Sequence, residues 1–288
     1  MAQKYIPESE LILNDKGAIY HLGLHPEMVA DTVIVVGDPT RVAKVSKYFD
    51  RVDFKVANRE MVTHTGLFNG QRISVISSGM GTDNVEILMT ELDALVNVDL
   101  VKRQVKKKLK SLRIIRIGTS GCMQSDIPLD TLLVSKAALG FDSLMSFYNW
   151  KESPQGEIVA SKVQRSLGLP FKPYFAEASD LLLKHFEGAG IQSGVTVTTP
   201  GFYAPQGREV RLKPLLTDYL DRLSKITTSF GQITNFEMET AGYYAMAKML
   251  GHHMISFNAL IANRPKKKFS TDVEKTVDGL IRLVLAKI

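Results

Sequence analysis

Two short apolar runs, Thr32–Val36 and Leu112–Ile115, each lead straight into a segment of small residues that carries an arginine. Runs of this length, largely β-branched, read as buried strands. The first enters Gly37-Asp-Pro-Thr-Arg41 and then a helical pattern through Val42, Val45 and Phe49. The second enters Arg116-Ile-Gly-Thr-Ser-Gly121, read as a glycine-rich turn at the strand's carboxyl end. A strand, a glycine turn and a helix N-terminus in succession constrain the chain to an α/β sheet, whose ligands sit at the carboxyl ends of its strands. Backbone N–H groups at such turns approach anions, and an arginine can grip one with two parallel bonds. Either segment alone is equally an ordinary tight turn with its arginine in solvent. Two in one chain point to an anion site.

The rest of the sequence alternates in the same way. Strands are expected at 32–36, 61–67, 71–77, 112–118, 130–135, 194–199, 232–237 and 253–261. Helices are expected at 39–49, 83–110, 176–187, 207–225, 239–250 and 271–287. The last shows Val273, Val277, Leu280, Ile281, Val284 and Ile288 on one face, and Thr271-Asp-Val-Glu274 reads as its capping box. Alternation of this kind predicts an α/β fold with a central mixed β-sheet flanked by helices. No flexible linker or internal repeat divides it, so residues 1–288 are expected to form a single domain.

Composition excludes several classes. No apolar run approaches the roughly 18 residues of a membrane span, and the amino terminus lacks a signal-peptide core. Cys122 is the only cysteine, which leaves no disulfide framework or cysteine zinc site within one chain. A cytoplasmic protein that touches no membrane is expected. The formal net charge of +6 raises the question of nucleic acid. Lys102, Arg103, Lys106, Lys107, Lys108, Lys110 and Arg113 account for more than the whole of it. In the same stretch Val101, Val105, Leu109 and Leu112 recur at helical spacing, so the segment reads as an amphipathic helix with a solvated basic face. It lacks aromatic residues for base stacking, and no nucleic-acid partner is expected.

Two further segments carry chemistry. Asn235-Phe-Glu-Met-Glu239 ends a strand and opens a helix, where carboxylates are favourable in any case. In the company of Arg41 and Arg116, Glu239 could instead accept hydrogen bonds from sugar hydroxyls. Thr198-Thr-Pro-Gly-Phe-Tyr-Ala-Pro-Gln-Gly-Arg208 is rich in turn formers. It is either a surface loop or a reader of a flat heterocycle, with Phe202 stacking, Gln206 offering donor and acceptor, and Arg208 offsetting negative charge on a leaving base.

Taken in order, Gly37-Asp-Pro, Arg116-Ile-Gly-Thr-Ser-Gly, Phe202-Tyr…Gln206-Gly-Arg208, Glu237-Met-Glu239 and Asn263-Arg264 resemble the uridine phosphorylases of the hexamer-type nucleoside phosphorylase superfamily. The resemblance runs from His21-Leu-Gly-Leu24 to the final helix and implies a nucleoside phosphorylase-like fold. By the resemblance, Gly37, Arg41, Arg116 and Thr119 bind phosphate, joined by Arg59 from a neighbouring subunit. His21 of that neighbour approaches the ribose 5′-hydroxyl, while Met238 and Glu239 hold the ribose with Glu237 beside them. Phe202, Gln206 and Arg208 receive uracil, and Ile261, Ala262 and Arg264 close its pocket. Arg116, Glu239 and Arg208 would carry the catalysis.

The expected reaction is reversible phosphorolysis of uridine to uracil and ribose 1-phosphate, without metal or organic cofactor. Phosphorolysis of purine nucleosides and phosphate-independent hydrolysis are the alternatives on the same fold. Purine-cleaving relatives usually carry an aspartic acid after the penultimate strand, where this chain has Ala262-Asn263-Arg264. The chain also departs from the family. Thr198-Thr-Pro-Gly replaces the usual Ser-Ser-Asp-Thr, and Asn84 stands where bacterial relatives place a serine that helps hold potassium between subunits, which argues against that ion here despite Glu60. The long basic connection 97–112 favours a homodimer with shared sites over a hexamer. Rival classes are a nucleic-acid-binding protein using the basic segment and a nucleoside sensor that binds without turnover.

Overall fold

A computed structural model describes residues 5–188 and 191–288. Its strands are β1 (Thr32–Val36), β2 (Arg51–Asn58), β3 (Met61–Phe68), β4 (Gln71–Ser77), β5 (Val98–Asp99), β6 (Gln104–Val105), β7 (Arg113–Cys122), β8 (Leu132–Gly140), β9 (Tyr174–Glu177), β10 (Gln192–Thr198), β11 (Thr227–Thr228), β12 (Gly231–Glu237), β13 (His253–Asn263) and β14 (Lys268–Phe269). The helices are α1 (Pro39–Ser46), α2 (Thr82–Asn97), α3 (Pro154–Leu167), α4 (Asp180–His185), α5 (Tyr219–Ser224), α6 (Thr240–Leu250) and α7 (Val273–Leu285).

Twelve strands form one mixed sheet in the order β11-β12-β10-β8-β13-β7-β1-β4-β3-β2, with β9 on β8 and β14 on β13. The path returns on itself. Phe236 and Asn235 of β12 pair antiparallel with Gly121 and Cys122 of β7, closing β12, β10, β8, β13 and β7 into a ring. β1 is apolar after Thr32, and Ile114, Ile115 and Ile117 of β7 are buried beside it, as strands covered on both faces require. One apolar cluster joins α2 and α6 to the sheet through Val85, Leu88, Leu92, Tyr243 and Ala247. A second joins α1 and α7 through Val42, Val45, Leu280 and Val284. The expected mixed sheet flanked by helices is present. Among the described residues, no helix is long and apolar enough to cross a membrane.

Several local expectations are corrected. Arg116–Gly121 is no turn: β7 runs on to Cys122. Its glycines make room for side chains, because a Cβ on Gly118 would lie 2.0 Å from Arg116 Nη1 and one on Gly121 would lie 3.0 Å from the Phe236 ring. The helix expected over 83–110 ends at Asn97, and a small hairpin of β5 and β6 follows. Asn97 staples that excursion shut: its Nδ2 donates to the Lys110 carbonyl at 3.0 Å, and its Oδ1 accepts from Lys110 N at 2.6 Å. Val101, Val105 and Leu109 are exposed while Leu112 is fully buried, so they share no face. The amphipathic basic helix therefore does not exist.

Other boundaries move for simpler reasons. Only Tyr219–Ser224 of the expected 207–225 is α-helical, since Pro214 supplies no N–H and 208–218 is irregular. Residues 176–187 divide into the end of β9 and the short α4. The start of α7 is capped by Asp272, which accepts from Lys275 N at 3.1 Å, one residue later than the expected Thr271 box. Helix α3 was not anticipated, although its signals are present: Ser153 caps Gly156 N at 3.0 Å, Pro154 starts it, and Gly168 ends it at φ +65°.

Candidate active site

The carboxyl ends of β1, β7, β12 and β13, with the loop after β10, surround one cavity of about 590 Å³. At its buried end lies Arg116, only 4% exposed. Its Nη2 donates to Glu239 Oε2 at 2.6 Å and lies 3.0 Å from Glu237 Oε2. Its Nη1 donates to Asn258 Oδ1 at 3.2 Å. Glu237 ends β12 and Glu239 is the N-cap of α6, yet both turn to the one guanidinium.

They are held very differently. Glu237 accepts from Thr198 Oγ1 at 2.7 Å, from Thr240 Oγ1 at 2.9 Å, and from the backbone N–H groups of Glu239 and Thr240. These bonds hold it fast. Besides Arg116, Glu239 receives the Gly81 N–H at 2.9 Å, from a residue at φ +94° that favours glycine. Burial, reinforced by the Glu237 charge and opposed by Arg116, raises the Glu239 carboxyl above its ordinary value. Burial would lower Arg116, but the two carboxylates outweigh it and raise it.

Arg41 reaches the same end from the first turn of α1, donating from Nη1 to the Ile117 carbonyl at 3.2 Å. Burial and then the nearby Arg116 charge lower its pKa. Two guanidiniums that repel each other, beside Gly37 and Thr119, leave a region that an anion would neutralise.

The other end is built by the 199–208 loop. Arg208 lies 3.7 Å over the Phe202 ring and donates from Nη1 to Gln206 Oε1 at 2.6 Å and to the Phe202 carbonyl at 2.6 Å. Gln206 Nε2 donates to Thr199 Oγ1 at 3.1 Å. Half of Phe202 remains exposed. Burial, followed by the charge of Arg264, pushes Arg208 down to about 10.

Of the residues singled out in the sequence, Gly37, Arg41, Arg116, Thr119, Phe202, Gln206, Arg208, Met238, Glu239, Ile261 and Ala262 line this cavity together. Three do not. Arg264 stands behind the loop, donating to the carbonyls of Gln206 at 3.0 Å and Gly207 at 3.3 Å. His21 and Arg59 form a separate patch with Tyr20, whose ring lies 4.9 Å from His21 and 5.5 Å from the Arg59 guanidinium. Asn58 Nδ2 fastens that patch by donating to the carbonyls of Tyr20 and His21, each at 2.9 Å.

Sequence reasoning missed Met80, Ser120, Phe236 and Phe269, which also line the cavity, as does Glu60, singled out there only beside a cation site. Behind it runs a buried polar relay. Asn258 donates to Ser135, Ser135 pairs with Thr196 at 2.6 Å, Thr196 donates to Asn235, and Asn235 donates to Ser120. Its signal was available: Asn258 is an amide between apolar residues of β13, where a buried polar group needs partners. Asn263 is buried too, donating to the carbonyls of Gln124 and Ile127.

Comparison with known proteins agrees with this arrangement. The sequence pattern of the Phosphorylase superfamily matches residues 31–286. A uridine phosphorylase of Thermococcus kodakarensis is 30% identical over 278 residues, covering 96% of this chain and 88% of that protein. One from Haemophilus influenzae is 25% identical over 273 residues, covering 93% and 96%. A Trypanosoma brucei nucleoside phosphorylase structure, described as showing uridine phosphorylase activity, superposes with a TM-score of 0.88 at 27% identity. That superposition covers 96% of this chain and 98% of the other.

Proposed function

The chain belongs to the phosphorylase superfamily, and on that premise we propose that it is a pentosyltransferase catalysing reversible phosphorolysis of uridine to uracil and ribose 1-phosphate. The observation that carries this reading is one cavity with a paired-arginine end, a carboxylate in the middle and an aromatic, amide and guanidinium end. A nucleoside and an inorganic anion fit its polarity as a pair. Residues 1–288 act as one domain in this reading, and we place the protein in the cytoplasm.

Phosphate would rest against Gly37, Arg41, Arg116 and Thr119. The ribose would lie on Met238, with its hydroxyls donating to Glu239, and uracil between Phe202, Ile261 and Ala262. One phosphate oxygen attacks the anomeric carbon as the C–N bond breaks. The bonding pair leaves on uracil, and positive charge develops on the sugar. Gln206 and Arg208 offset the negative charge of the departing base, which takes its proton from solvent. Holding both reactants in one cavity removes much of the entropic barrier. Glu237, saturated with hydrogen bonds, keeps Arg116 oriented. Arg264 braces the loop that presents Gln206.

Uridine is favoured over purine nucleosides because no acid faces the base from the end of β13. Asn263, in the Ala262-Asn263-Arg264 segment there, is turned inward to backbone carbonyls. The patch of His21 and Arg59 serves the cavity of a second copy, so the active unit is a homo-oligomer, with the dimer favoured. The deciding measurement is the initial rate on uridine, thymidine and inosine, with and without phosphate. Uridine cleavage that depends on phosphate is expected. Uracil release at an equal rate without phosphate would indicate hydrolysis, and faster inosine cleavage would overturn the base assignment. Mixing Arg59→Ala with Arg116→Ala chains should restore part of the activity if sites are shared.

A further inference from the structure

We propose that Glu91 is the positioning residue for His21, fixing the imidazole so that its Nε2 accepts the ribose 5′-hydroxyl of a nucleoside held by a second copy. This rests on the reading of His21 given above. Glu91 projects from the middle of α2 and is 8% exposed. Its carboxylate receives three donors from one corner of the chain: His21 Nδ1 at 2.6 Å, His21 N at 3.0 Å and Leu22 N at 2.8 Å. Among the described residues, no lysine or arginine forms an ion pair with it. His21 is, among the described residues, the histidine with a carboxylate at such a distance; His252 Nε2 stands 3.4 Å from Asp93.

A neutral amide could satisfy two backbone N–H groups at lower cost than a buried carboxylate. What the carboxylate adds is certainty about the proton. An ionised carboxylate only accepts, so the proton between Glu91 and the ring must sit on His21 Nδ1. In the neutral imidazole the lone pair is then on Nε2, the atom that faces away from α2. The same logic orients a histidine by an acidic partner in other enzymes. Tyr20 packs edge-on against the ring, and Asn58 holds the His21 carbonyl, so the imidazole is fixed on three sides. His21 is only partly buried, and its outer edge lies on the patch that carries Arg59.

Comparing uridine with 5′-deoxyuridine tests this. Replacing Glu91 by glutamine keeps the volume and an acceptor, but an amide can also donate to Nδ1 and let the ring flip tautomer. Glu91→Gln should lower kcat/KM for uridine about tenfold, the weight of one hydrogen bond, and leave 5′-deoxyuridine within about twofold. His21→Ala should collapse the same preference, and adding Glu91→Gln to it should change the ratio no further. A purely structural Glu91 would lower both substrates together, which overturns the proposal. If His21→Ala itself leaves the ratio intact, the reading of His21 falls, and the proposal with it. A measurement on the unaltered protein covers the case in which the variants misfold. Long-range ¹⁵N–¹H spectra of its imidazoles should show His21 protonated on Nδ1, and a neutral Nε2–H form would refute it.

Discussion

The two ends of the cavity are built on opposite plans. Around Arg116, Glu237 and Glu239 nearly every donor and acceptor is committed, and the side chains are almost fully buried at strand ends. The 199–208 loop presents an exposed Phe202 and holds its shape with a few bonds among Arg208, Gln206 and Thr199. A buried cluster of one guanidinium and two carboxylates tolerates no loss of its cation, because the carboxylates left behind have no water to turn to. An exposed loop can lose a contact and relax. In the proposed reading the buried end thus couples chemistry to stability, whereas the loop separates recognition from it.

Arg116→Met is the most severe way to try this contrast. It strands two carboxylates, at a cost of about 3–5 kcal/mol, and should abolish detectable turnover. Urea titration followed by activity assay would show both, and a variant as stable as the parent would break the comparison.

Glu239→Gln comes next. Phosphorolysis should fall about 100-fold, as expected for a charged hydrogen-bond partner. Stability should move the other way. The folded pKa of Glu239 is raised, so this group favours folding only below its unfolded value and loses that contribution as pH rises through the folded one. At neutral pH the glutamine variant should therefore be the more stable protein, with the gap closing as pH falls below the ordinary carboxylate value. Thermal melts at pH 4 and pH 7 would check the sign.

Arg208→Ala should cost roughly tenfold in kcat/KM for uridine while thermal stability shifts by less than about 0.5 kcal/mol. A large loss of stability would show the loop to be part of the core. At the mild end, Lys107→Ser with Lys108→Ser should leave uridine kinetics within about twofold, as for exposed side chains away from any cluster. A marked fall in rate would tie the basic hairpin to the site.

The two ends also differed in how far sequence revealed them. Arg41, Arg116, Glu239, Phe202, Gln206 and Arg208 were legible because each sits in a compact motif next to a strand. Arg264 was legible as a residue but not as a brace, because its partners are backbone carbonyls far away in sequence. Met80 and Phe269 carried no local signal, being brought in by other elements. The basic segment misled because a helical spacing of Val101, Val105 and Leu109 is a local pattern, while its conformation is set by Asn97 gripping Lys110.

By itself, the sequence determined the alternating strands and helices, the mixed sheet and the order of the cavity motifs. These follow from short-range causes: β-branched runs, glycine placement and capping. Only the tertiary structure decided that Arg116 lies within a strand, folded over Gly118, and that both Glu237 and Glu239 face it. It also decided that His21 and Arg59 share a patch outside the cavity lining and that Glu91 grips His21 across seventy residues. Such outcomes depend on which strands close the ring and which charges are left without water, and no local pattern carries that information.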